Sequence, residues 1–204
     1  MIALLLGCAS TSGLGTARTI DQHDVQYVIA QEGGWVQSHP LQTPLVRQDV
    51  GVRYGITDDL EVGATIGGWA FIAYWSHVQY DLKYQLHSGP RLDVAVDAAV
   101  AHDWFSVGKT YGQAATVQVP LLVGIRTKRD HEWVLTPRLV YQHTWSKGSA
   151  PVDKLLVGQS VGFAWHTGPL TIYPNVGVLW STNPADAAGG MRVLQYGVGF
   201  YWPE

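Results

Sequence analysis

Charge is scarce in this chain. Asp, Glu, Lys and Arg make up 14% of its 204 residues, against about 25% in a typical soluble domain. The net charge of -3 supplies no basic field, so nucleic acid is not an expected partner. The single cysteine, Cys8, excludes an internal disulfide. No run of roughly 18 consecutive apolar residues is present, which excludes a membrane-spanning helix. No stretch sustains a helical period, and no phosphate-binding glycine motif opens a helix after a strand. No cofactor is expected.

What is present is glycine, aromatic residues and a period of two. The chain holds 23 Gly, 9 Trp and 10 Tyr. From Asp24 onward it divides into ten alternating stretches separated by turn residues. The stretch from Tyr74 to His87 is the clearest: Tyr74, Val78, Tyr80, Leu82, Tyr84 and Leu86 alternate with Trp75, His77, Gln79, Asp81, Lys83 and Gln85. Strands with one apolar and one polar face, low charge and no spanning helix suit a membrane barrel, in which the apolar face meets lipid. The fold expected is all-β: a closed, antiparallel, up-and-down transmembrane β-barrel of about ten strands, with eight or twelve possible. Closure also satisfies the backbone, because no strand edge is left in hydrocarbon.

Two further patterns agree. Short connections (Thr57–Asp59, Ser88–Pro90, Lys128–His131, Thr167–Pro169) alternate with stretches read as longer loops at Trp104–Tyr111, Ser146–Asp153 and Ser181–Gly190. Short periplasmic turns and longer outer loops are usual in such barrels. Tryptophans also fall near strand ends, with Trp104, Trp145 and Trp180 towards the outer rim and Trp133, Trp165 and Trp202 towards the periplasmic rim. Indole rings favour the headgroup level, so these six residues are expected to form two aromatic girdles.

The last stretch, Met191 to Trp202, reads MRVLQYGVGFYW and carries Leu194, Tyr196, Val198, Phe200 and Trp202 on one face. Gln195, Gly197, Phe200 and Trp202 are in register with the C-terminal assembly signal of bacterial outer-membrane β-barrels, and the stretch resembles it. Pro203 and Glu204 follow, where that family usually ends on the aromatic. The resemblance implies an outer-membrane location and two kinds of partner, outer-membrane lipids and the barrel-assembly machinery. It also implies that the last strand pairs with the first, Asp24 to Gln37.

Near the other end, Leu5-Leu6-Gly7-Cys8 resembles the lipobox of bacterial lipoproteins, which implies lipidation at Cys8. Seven residues precede Cys8, with no basic segment, whereas signal peptides usually run about 15–30 residues. The expected organisation is a signal or lipobox segment over 1–8, a flexible tether over 9–23 and the barrel over 24–204.

The polar faces carry Arg47, Asp49, Arg53, Glu61, His77, Asp81, Lys83, Asp93, Asp97, Arg126 and Arg138. Buried charges must be paired or wetted, and small barrels are filled by side chains. These residues therefore read first as an ion-pair network filling a narrow lumen, with a structural or interaction role for the protein. A small-solute pore is the alternative. A third reading is enzymatic, since Tyr141-Gln142-His143-Thr144-Trp145-Ser146 faintly resembles the His-x-Ser segment of lipid A deacylases. Here Trp145 stands two residues after the histidine, and Ser146 falls on the other face. His77, Asp81 and His87 share a face of one strand, but no further strong ligand can be placed, so no metal is expected.

Overall fold

The computed structural model describes residues 15–38, 41–69, 74–107, 110–183 and 192–203. Cys8 and Met191 lie outside them. Ten strands follow in order: β1 (Val25–Ser38), β2 (Leu41–Thr57), β3 (Leu60–Trp69), β4 (Tyr74–Ser88), β5 (Leu92–Val107), β6 (Thr110–Arg126), β7 (Glu132–Ser146), β8 (Val152–Thr167), β9 (Leu170–Ser181) and β10 (Arg192–Pro203). Each pairs antiparallel with its sequence neighbours. β10 returns to β1 from Gln26↔Pro203 to Gln37↔Arg192, and the sheet closes. The expected barrel, its strand number and its closing pair are all present.

Alternation decides which side chains go where. β7 shows it most cleanly: Val134, Thr136, Arg138, Val140 and Gln142 are buried, while Trp133, Leu135, Leu139 and Tyr141 are exposed. Around the barrel the exposed set is apolar, including Ile29, Val50, Ile66, Leu82, Val100, Val119, Leu155, Val176 and Leu194. A soluble protein would not present such a continuous apolar belt to water. It is the lipid-facing surface that the period of two encodes.

Some expected boundaries are corrected. Trp104–Tyr111 is not a long loop, because β5 continues to Val107 and β6 begins at Thr110. Alternation persists there: Asp103 points inward to hydrogen-bond partners, and Phe105 lies opposite Gly112. β2 likewise starts at Leu41 rather than Leu45. The long connections at this end that remain are those after Ser146 and Ser181.

The interior mixes two kinds of filling. Charged and amide side chains crowd the wall from β1 to β5. On β7 to β10, Val140, Leu156, Leu179 and Val193 form an apolar cluster beside the buried Arg138, Gln142 and Lys154. A second apolar layer joins Val28, Ala30, Ala95, Leu122, Val134, Ala164, Tyr173 and Tyr201. Tyr173 and Tyr201 meet edge-on at 6.4 Å between ring centroids. The Tyr173 ring fills the space where Gly162 has no side chain, and a Cβ there would overlap it.

Gly162→Val is therefore expected to lower the free energy of unfolding by about 1–3 kcal/mol through overpacking. Val161→Leu, on the lipid face, should leave it nearly unchanged. Urea titration in lipid vesicles measures both, and an unaltered midpoint for Gly162→Val would contradict the seated ring.

Candidate functional site: the charged lumen and its lower mouth

The charged wall is assembled by placing inward residues of β1 to β5 side by side in register. Across β2, β3 and β4, Arg53 stands opposite Gly63, and Gly63 opposite Asp81; Glu61 stands opposite Lys83. The central group is Glu61, whose side chain is fully buried. One of its oxygens, Oε1, accepts from Arg53 at 2.6 Å and lies 2.9 Å from Lys83 Nζ. Arg53 also bonds Asp81 at 2.5 Å, with that carboxylate tucked over Gly63. Two cations and two carboxylates thus neutralise one another where a lone charge would cost several kcal/mol. Asp97 adds a further inward carboxylate on β5.

Nearer the upper end, Arg47 bridges Asp49 at 2.7 Å and Glu32 at 2.8 Å and lies 5.8 Å from the centre of the Trp75 ring. Trp75 Nε1 donates to Asp103 at 2.8 Å, and His77 Nδ1 lies 3.1 Å from the same oxygen. Arg138 bonds Gln195 across the lumen from β7 to β10. At the lower end Arg126 grips both oxygens of Asp93, at 2.6 and 2.8 Å.

Every lumen charge read from the sequence faces inward, and most take part in these pairs. Among the described residues four further inward charges escaped that reading. They are Glu32, Asp103, Glu132 and Lys154, and Glu32 stands in a stretch whose neighbours carry no pattern. Asp103, Glu132 and Lys154 had a usable signal, since they continue the alternation of Asp93 and Ala95, of Thr136 and Arg138, and of Ser160 and Gly162. His77 is committed to Asp103, and His87 is exposed beyond a bulge between Gln85 and His87. Among the described residues no three His, Cys, Asp or Glu side chains converge to hold a metal.

The lower mouth corrects the tether expected over 9–23, for the residues from Gly15 on. They are not a loose linker but a strap across the mouth. Thr19 N–H donates to Gln85 Oε1 at 2.8 Å and Ile20 N–H to Glu61 Oε2 at 2.9 Å. Lys83 Nζ donates to the carbonyls of Arg18 at 2.7 Å and Thr16 at 3.3 Å. Ala17 is fully buried and packs against Gly124 on the far side. Two β-bulges, at Gly55–Thr57 and Gln85–His87, adjoin this seat. Bulges re-aim side chains, and here one lies beside Gln85. Composition suggested a tether because Ser, Thr and Gly carry no period. The strap is held by its main chain, which leaves no trace in residue type.

On the outside, Trp133, Trp165 and Trp202 sit near the lower ends of β7, β8 and β10, and Trp104, Trp145 and Trp180 near the upper ends of β5, β7 and β9. The lower ring includes Tyr27 against Trp202 at 6.5 Å and Trp133 against Phe163 at 4.7 Å. The upper ring includes His102 stacked on Trp104 at 4.2 Å. Gln195 and Gly197 face the lumen, whereas Phe200 and Trp202 face outward. His143 lies on the outer face with Tyr141, and both bond Asp153 at 2.6 Å. Ser146, an odd number of residues away on the same strand, points to the opposite face.

A closed ten-stranded meander with a lipid-facing apolar belt, aromatic rims and a polar, filled interior has counterparts among solved structures. It superposes on the translocator domain of the autotransporter NalP from Neisseria meningitidis with a TM-score of 0.50 at 14% identity, over 98% of this chain and 92% of that one. It superposes on the outer membrane protease OmpT from Escherichia coli with a TM-score of 0.52 at 9% identity, over 96% of this chain and 100% of that one. The fold is that of a bacterial outer-membrane β-barrel. No family model and no curated protein matches the sequence. The strap lies at the end read from the sequence as periplasmic, where short turns join β2 to β3, β4 to β5 and β8 to β9.

Removing Glu61 tests the central network. Glu61→Ala leaves two buried cations short of a partner and is expected to cost about 3–5 kcal/mol. Asp153→Ala, on the exposed rim, should leave the unfolding midpoint unchanged. Urea titrations of the two variants in vesicles give the comparison, and equal midpoints would contradict the weight placed on Glu61.

Proposed function

We propose that this protein is a closed, non-conducting outer-membrane barrel with a structural or interaction role. The observation that carries this reading is the filled cross-section. The lumen holds the Arg53–Glu61–Asp81–Lys83 network, the apolar layer with Tyr173 and Tyr201 and, nearer the upper end, the cluster of Val140, Leu156, Leu179 and Val193, while the strap covers the lower mouth. A pore for hydrated solutes needs a continuous wet path, and these layers stand across it. Catalysis is not part of the reading. The exposed His143–Asp153 pair has no serine beside it on its strand face, and a serine nucleophile needs a base within hydrogen-bond reach.

The same reading includes lipidation at Cys8 within the lipobox-like segment, with the strap following the anchor. It also includes delivery by the barrel-assembly machinery through the Gln195, Gly197, Phe200 and Trp202 pattern, and outer-membrane lipids around the Trp girdles. Incorporation of labelled palmitate that is lost in Cys8→Ser tests the anchor.

In planar bilayers the purified protein is expected to give no single-channel steps. Discrete, reproducible steps would overturn the closed reading in favour of a small-solute porin.

A further inference from the structure

We infer that the periplasmic mouth is a binding seat for a short, bent peptide segment, and that residues 15–20 are its resident occupant. The inference goes beyond the closed-barrel reading and does not depend on whether the lumen conducts.

Recognition in the seat is mostly of main chain. Gln85 and Glu61 accept the N–H groups of Thr19 and Ile20, and Lys83 donates to the carbonyls of Thr16 and Arg18. Such contacts read the course of a peptide main chain, which bends at Ala17 and Arg18, rather than its side chains. Two positions add selectivity. Ala17 is fully buried in a notch over Gly124, where a Cβ on the glycine would overlap the Glu132 carboxylate and come within 2.8 Å of the Ala17 Cβ, so this position favours a small residue. Thr19 is buried, and its hydroxyl donates to the Asp58 carbonyl at 2.5 Å and lies 3.0 Å from Gln85 Oε1. Arg18, between them, is exposed and unselected. The ligand class is therefore a short peptide that bends at a small residue placed two positions before a threonine.

The occupant is also built to leave. One flank of the strap borders a cleft of about 490 Å³ that reaches Asp93 on β5, Arg126 on β6 and His166 on β8. The strap can therefore move aside without displacing a strand. It joins β1 through His23, a non-glycine residue at φ 71°. Left-handed backbone at such a residue is held only by its surroundings, here the bond from His23 N–H to the Gly55 carbonyl at 2.8 Å. β1 begins pairing at Val25, beyond this corner. Unseating the strap leaves the barrel ladder whole and presents Gln85, Glu61 and Lys83 to another peptide.

The test uses the full chain folded in detergent micelles, with heat-modifiable migration as the check on folding. Ala17→Trp cannot enter the notch and should eject the strap. Trypsin is then expected to cut after Arg18 about ten-fold faster than in the parent protein, with cleavage in the exposed Lys128–Arg129 turn as the internal reference. A fluorescein-labelled peptide of residues 15–22 should bind Ala17→Trp saturably and the occupied parent about ten-fold more weakly. It should not bind Ala17→Trp combined with Gly124→Val, which fills the notch. If Ala17→Trp does not fold, Thr19→Pro, which removes the N–H donated to Gln85, is read in the same assays. Cleavage after Arg18 as fast in the parent as in the variants would overturn the seating. A freed Arg18 with no peptide binding would overturn the seat as a receptor.

Discussion

The structure depends on one constraint: no backbone N–H or C=O can be left open in hydrocarbon. Pairing β10 with β1 meets it by abolishing both sheet edges. The constraint is tight enough that its exceptions stand out. Pro120, Pro137 and Pro174 lie inside strands and donate no N–H. Pairing is interrupted where they fall, between Val96↔Leu121 and Ala99↔Gln118, between Pro120↔Arg138 and Val123↔Leu135, and between Gly162↔Asn175 and Trp165↔Ile172. It resumes in each case without a shift of register. A closed sheet tolerates such gaps because the ladders on either side of each gap fix the same register.

Closure in turn creates an interior that must be filled. Ten strands enclose too little room for free water throughout and too much for glycine alone. The chain solves this differently on its two sides. From β1 to β5 it uses mutually neutralising charges, which need partners on adjacent strands and so lock register. On β7 to β10 it adds Val140, Leu156, Leu179 and Val193, which need only volume, beside the buried Arg138, Gln142 and Lys154. The apolar side tolerates exchange among residues of similar size, and the charged side does not.

That asymmetry explains what was legible in the sequence. Where inward residues are charged and outward ones apolar, as from Tyr80 to Gln85, the period of two gave strand, face and site together. In β8 to β10 both faces carry apolar residues, so Leu156, Leu179 and Val193 gave no sign of pointing inward. The closing pair was legible because Leu194 to Trp202 end the alternation on aromatics. The strand ends after His102 and before Leu45 were not, because turn-like composition there is overridden by cross-strand pairing. The strap was invisible for a related reason. Its partners Gln85, Glu61 and Lys83 were legible as inward residues, but what they hold is peptide backbone, which every residue possesses.

Glu61 joins these levels, because its two oxygens serve different tasks. Oε1 belongs to the barrel, bound by Arg53 and Lys83, while Oε2 receives the strap through Ile20. Losing the strap removes a handful of hydrogen bonds, each worth about 1 kcal/mol net, and water or another peptide can replace them at the mouth. Losing the carboxylate removes the ion-pair partner of Lys83 and leaves Arg53 with Asp81 alone. The first change is reversible within a folded barrel, and the second threatens the barrel itself. The same side chain can therefore anchor a permanent wall and a removable occupant, because the charges that need pairing are satisfied without the strap.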